Sequence, residues 1–130
     1  MRKLIVAVLL TTLVCGSAVP ADDPRLPNFV SLVRLLASPH EFDGRRVLVF
    51  GVAKIQFEGN ALYLHKEDFV WGLYTNAIWI DVPPESWEEW KRYSGKYVAI
   101  DGTFNAQRHG HMDVFGGTIE RITRFTPVRK

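Results

Sequence analysis

One cysteine, Cys15, is present in 130 residues, so no disulfide can form within the chain. Net charge is also scarce, with 16 Lys and Arg against 14 Asp and Glu. Arg2 and Lys3 are the only charged residues before Asp22, so residues 22–130 are neutral, mildly acidic up to residue 95 and mildly basic after it. A neutral chain lacks the electrostatic footprint of a general nucleic-acid binder. Linkers and low-complexity tracts are missing, and residues 22–130 suffice for one domain with one core but not for two. Catalytic signatures are equally thin, with no nucleophile elbow, phosphate loop or readable pair of carboxylates.

What the N-terminus does contain is "MRKLIVAVLLTTLVCGSAVPADDP". Two cations precede an apolar run, Leu4–Val14, that is followed by small residues, which is the plan of a secretory signal peptide. The run falls short of the about 20 residues that span a bilayer. Val19-Pro20-Ala21 supplies a cleavage site, giving a signal peptide over 1–21 and a mature domain over 22–130. The alternative is a lipoprotein cut before Cys15, but Val14 stands where that peptidase takes a small residue. Export without disulfides fits a bacterial periplasm, or secretion from it.

The mature chain alternates helical and strand-like patterns. "PNFVSLVRLLASP" places Phe29, Leu32, Val33 and Leu36 on one helical stripe behind Asn28 as N-cap. "RRVLVFGVAKIQFEG" predicts a long first strand, apolar on both faces at its start and able to bend at Gly51. Two short strands follow, "NALYL" and "NAIWI", separated by "HKEDFVWGLYTN", which holds a helical turn with Glu67 and Asp68 at its start. "PPESWEEWKRYSG" reads as a second helix whose Trp87, Trp90 and Tyr93 form a stripe that plugs a core. "KYVAIDGTFNAQ" and "HMDVFGGTIERITRF" close the chain as the fourth and fifth strands of a hairpin, with a bulge expected at Gly116-Gly117.

Five strands with one helix before the first and another between the third and fourth follow the plan of the OB-fold, a five-stranded Greek-key barrel. The fold class is therefore mainly β with two helices. An α+β sandwich is the alternative. From Val30 to Phe125, "SPHEFDGRRVLVFGVA", "NALYLHKED", "NAIWI", "GKYVAIDGTF" and "GHMDVFGGTIERI" resemble a group of small exported bacterial proteins of unassigned function. More loosely, they resemble OB domains of the tRNA anticodon-binding kind. The resemblance implies a binding module and not an enzyme. It does not name a ligand, since OB barrels bind many kinds.

Two constellations carry a function from sequence. If the aliphatic faces of the second and third strands turn inward, Tyr63 and Trp79 turn outward and offer a stacking platform on the face where OB barrels take ligands. Gln107, Arg108 and His109, from the loop between the last two strands, would add polar contacts, with His65 at the end of the second strand. The platform fails if the N-terminal helix or the 65–76 insertion covers it. His109 and His111, two apart, would share one side of a strand and offer half a metal site. His65, about five residues or roughly 16 Å from the hairpin, is a distant third ligand, and Asp101 or Asp113 a nearer one.

These readings predict a non-catalytic, exported OB-fold module for an extracytoplasmic protein, peptide or glycan, with no cofactor and no transmembrane segment in the mature chain. A nucleic-acid-binding OB domain is the first alternative, and a metal-binding protein using His109 and His111 the second.

Overall fold

The strand Arg46–Lys54 (β1) is the spine of the molecule, whose computed structural model describes residue 23 and residues 25–130. The signal-peptide cleavage site and Cys15 lie outside the described residues. Val47 and Val49 point into the core, while Leu48 is half-buried and Phe50 turns outward. Along its length β1 pairs antiparallel with Tyr97–Asn105 (β4), from Arg46↔Thr103 to Val52↔Tyr97. Its other edge is shared. Asn28–Phe29 runs parallel to Val47–Leu48, and Ala61–Tyr63 (β2) pairs antiparallel with Val52–Lys54. Gly51 stands where this second partner begins, and a Cβ there would meet the Tyr63 carbonyl oxygen at 2.6 Å.

Ala77–Ile80 (β3) continues antiparallel from β2, and Thr118–Pro127 (β5) runs parallel to β3 before returning antiparallel along β4. The circuit β1-β2-β3-β5-β4-β1 is closed. Closure leaves the start of β1 as an edge that Asn28–Phe29 covers, and this strand order is consistent with an OB-fold-like barrel. Inside lie Val47, Val49, Leu62, Ile78, Ile80, Ile100, Phe104 and Ile119.

Among the described residues three helices surround the barrel. Leu32–Ala37 (α1) precedes β1, Lys66–Trp71 (α2) lies in the β2–β3 insertion, and Trp87–Trp90 (α3) is extended by 3₁₀ turns into a helical segment over Pro84–Tyr93. Trp90 is buried and stacked on Phe125, ring centroids 4.3 Å apart, with Trp87 and Tyr93 packed beside it. Among the described residues no helix is long and apolar enough to cross a membrane.

Three local expectations need correction. α1 starts behind Ser31, whose Oγ accepts the Arg34 N–H at 3.3 Å, and not behind Asn28. Leu32 and Leu35 are its buried residues, while Phe29 is 71% exposed, because the open edge of β1 draws Asn28–Phe29 into a strand. The bulge falls between Asp101 and Thr103, opposite Arg121 with its φ of 48°, and not at Gly116-Gly117. Residues 106–117 form a long loop in place of a tight hairpin, and β5 begins only at Thr118.

Candidate functional site

The alternation of β3 puts Ile78 and Ile80 inside the barrel and leaves Ala77, with the half-buried Trp79, on the outer face. The β4–β5 loop folds over this face and is held by polar side chains at its two ends and from the turn before β1. The Asn105 Oδ1 accepts the Gln107 and Arg108 N–H groups at 2.9 and 3.2 Å, a turn typical of asparagine. The Asp43 Oδ1 accepts the Ala106 N–H at 2.8 Å, and the Thr118 hydroxyl donates to the Arg108 carbonyl at 2.7 Å.

Between residues 109 and 115 the loop closes on itself. His109 Nδ1 lies 2.8 Å from the Phe115 carbonyl oxygen, and the Phe115 N–H donates to the His109 carbonyl at 3.1 Å. A carbonyl only accepts, so Nδ1 carries the proton of this contact. Within the closure Met112 and Asp113 take left-handed backbone angles, φ 57° and 60°. Such angles are uncommon for residues other than glycine and recur at functional sites.

Closure aims Phe115 downward. Its ring sits 5.3 Å from that of Trp79 and 5.5 Å from that of Tyr74 in the β2–β3 insertion. Beneath it, Tyr63 is 1% exposed and meets Phe69 of α2 edge-on at 6.1 Å. Val52, Ala61, Tyr63, Ala77 and Phe115 thus form a second small core outside the barrel. Burial pushes the Tyr63 hydroxyl up to about 12, and the nearby Tyr74 hydroxyl adds to the shift.

Two adjoining cavities remain. A groove of about 540 Å³ runs over Trp79 and Gly110, bounded by Glu58, Asp81 and Asp113 and by Gln107, Arg108, His109 and His111. A narrower cleft of about 180 Å³ lies between the β1–β2 and β4–β5 loops. Tyr63 lines it with Tyr74, Phe115, Met112 and Val114, and Lys54 and Gln56 complete the wall. Glu58 and His111 line both cavities, with His111 Nε2 3.7 Å from Glu58 Oε2. Arg108 is already engaged, Nη1 lying 2.7 Å from Glu120 and 3.3 Å from Asp81. Both carboxylates, Glu120 foremost, raise the guanidinium above its usual range.

The structure brings Trp79, Gln107, Arg108 and His109 together in the groove, as the barrel reading expects. It does not present Tyr63 and Trp79 as an open stacking pair, because Phe69 and Phe115 cover Tyr63. The cover comes from the insertion and the loop, not from α1. His65 heads α2 and lines neither cavity, its N–H held by Asp68 Oδ2 at 2.9 Å. His109 and His111 lie in the loop, so strand alternation does not pair them. His109 turns to Phe115 and His111 to Glu58. Asp101 is buried and held by Arg46, and Asp113 borders the groove. Among the described residues no three His, Cys, Asp or Glu side chains are grouped to hold a metal ion.

Glu58, Tyr74, Met112 and Phe115 are site residues that sequence reasoning missed. The turn at Glu58-Gly59-Asn60 carries a partial signal, since the β1–β2 loop of an OB barrel neighbours the β4–β5 loop. Comparison with known proteins gives no match: no family model, curated protein or solved structure is similar to the chain at a significant level.

Proposed function

We propose that the chain is an exported, non-catalytic binding module that takes an extracytoplasmic protein or peptide segment across the outer face of β3, between the β1–β2 and β4–β5 loops. The observation that carries this reading is the groove over Trp79 with the cleft that adjoins it at Glu58 and His111, on the side where OB barrels take ligands. A polyanion is disfavoured there, because Glu58, Asp81 and Asp113 line the groove and its one arginine is occupied by carboxylates. A glycan loses the paired stacking surface, since Tyr63 is covered. The N-terminal pattern around Arg2, Lys3 and Leu4–Val14 supports export.

Panning the mature domain against a phage-displayed random peptide library tests the proposal. Enriched peptides are expected to lose about 30-fold in affinity on Trp79→Ala, as for an interface hot spot of about 2 kcal/mol. Arg92→Glu, which touches neither cavity, should leave their affinity unchanged. Enrichment of no peptide, or only of peptides indifferent to Trp79→Ala, would refute the proposal.

A further inference from the structure

We infer that the cleft floored by Tyr63 is an anchor pocket for a tyrosine side chain of the partner, with a neighbouring basic side chain of the same segment seated between Glu58 and Asp113. This rests on the binding function proposed above and specifies the partner's chemistry.

Size comes first. At about 180 Å³ the cleft is well below the roughly 300–1,000 Å³ of small-molecule sites, and suits one large side chain. Tyr63, Tyr74, Phe115, Met112 and Val114 supply apolar and aromatic walls. Around them Met112 is 78% exposed, Tyr74 47% and Val114 41%. A free phenol would fill the cleft and leave those side chains in water, whereas a peptide would cover them. Clustered exposed apolar side chains beside a pocket are characteristic of a protein interface.

The floor decides which side chain. Tyr63 is 99% enclosed, yet its hydroxyl makes no hydrogen bond to any described residue. No side-chain oxygen or nitrogen among the described residues is both fully buried and unpartnered, so this hydroxyl keeps contact with the cleft that it lines. The hydroxyl stays protonated at any physiological pH, and so can both donate and accept. An aliphatic or phenylalanine anchor would seal it off unpaired, at a cost that a hydroxyl-bearing ring avoids. Tyrosine joins the aromatic body to that hydroxyl.

Charge sets the neighbour. Glu58 lines both cavities and faces only His111 at 3.7 Å, while Asp113 has no ion-pair partner among the described residues. Lys54 lines the cleft but its ammonium stands over the Phe69 ring at 5.8 Å, away from the groove. A segment leaving the cleft toward Trp79 therefore passes Glu58, which has only a histidine beside it, and the unpaired Asp113, and these two carboxylates favour Lys or Arg.

Short Gly/Ser peptides carrying Tyr-Gly-Lys, Phe-Gly-Lys or Tyr-Gly-Glu test this by NMR titration of the mature domain. The Tyr-Gly-Lys peptide should bind about tenfold more tightly than the Phe form, and shift the Met112 methyl and Tyr74 ring signals. Tyr63→Phe should bring the Tyr-to-Phe ratio to about one, and Glu58→Gln with Asp113→Asn should remove the preference for Lys over Glu. An unchanged Tyr-to-Phe ratio in Tyr63→Phe, or shifts confined to residues outside the cleft, would overturn the inference. Library peptides that depend on Trp79 but lack tyrosine beside a basic residue would overturn it while leaving the binding function standing.

Discussion

Arg46 grips Asp101 through two parallel hydrogen bonds, Nε to Oδ1 at 2.8 Å and Nη2 to Oδ2 at 2.9 Å. The pair joins β1 to β4 beside the bulge, and the same guanidinium reaches the Arg25 carbonyl at 2.8 Å and the Thr123 hydroxyl at 3.3 Å. It thereby ties the segment before β1 and the irregular stretch of β5 to the barrel. Two-pronged geometry and a buried carboxylate separate this contact from ordinary surface ion pairs.

Asp101→Asn therefore turns an amide N–H₂ toward donors that need an acceptor. The expected cost is about 1–3 kcal/mol, read as a lower urea midpoint at constant slope. Because Asp101 is only 6% exposed, the loss should persist at high salt. An effect abolished by salt would place the pair among screened surface contacts.

The barrel was legible in the sequence because its determinants are local. "VLVFGVA", "AIWI" and "VAID" combine strand propensity with turn residues at their ends, and their order around the Trp87–Trp90 helix leaves few connectivities. Phe29 misled because the same residues fit a helical stripe and an edge strand. The decision belongs to the open edge of β1, a tertiary demand that local periodicity does not carry. The bulge was misplaced for a similar reason. Gly116 and Gly117 are needed where Leu36 and Phe104 pack against the backbone, while the irregularity sits opposite Gly102. At the site, topology placed Gln107, Arg108 and His109 beside β3. The covering of Tyr63 was not legible, since it depends on how Phe69 and Phe115, far apart in sequence, converge.

Asp68 holds the covering insertion in place. Its carboxylate, 5% exposed as a residue, accepts the His65 N–H at 2.9 Å and the Asn76 side-chain amide at 2.8 Å, and so joins the two ends of the insertion. Asp68→Ala should cost about 1–3 kcal/mol, since it removes a cap and leaves partners unpaired. Limited proteolysis should then cut first between residues 66 and 76. Cleavage at an unchanged rate there would show that the aromatic contacts of Phe69 and Tyr74 hold the insertion without Asp68.

Tyr63 gives the fold an alkaline limit. Its hydroxyl titrates at about 12 when folded, against about 10 in an unfolded chain. A raised value favours the folded state fully below the unfolded value, and that contribution is lost as pH rises from about 10 through about 12. Stability should fall over that interval by about 2–3 kcal/mol. Tyr63→Phe, with nothing to ionise, should flatten the decline. Tyrosinate absorbance adds a second readout: one of the four tyrosines should titrate late in the wild type and be missing from the variant. An equal alkaline decline in both proteins would assign the limit to another group.

Gly110 and Trp79 are packed so closely that the loop and the groove cannot be altered separately. A Cβ on Gly110 would lie 2.6 Å from the indole, and φ is 65°. Gly110→Ala thus adds backbone strain and a steric push on Trp79. Gly44 isolates the first effect, because its φ is 73° and a Cβ there meets nothing within 4 Å. Gly44→Ala should cost about 1 kcal/mol, and Gly110→Ala about 1–3 kcal/mol more, with the indole displaced toward water. Trp79 fluorescence, obtained by difference from Trp79→Phe, should shift to the red in Gly110→Ala and stay unchanged in Gly44→Ala. Peptides selected on the groove should lose affinity for the first variant alone. Equal behaviour of the two alanine variants would mean that the loop yields before the indole does, and that Trp79 is held by Phe115 alone.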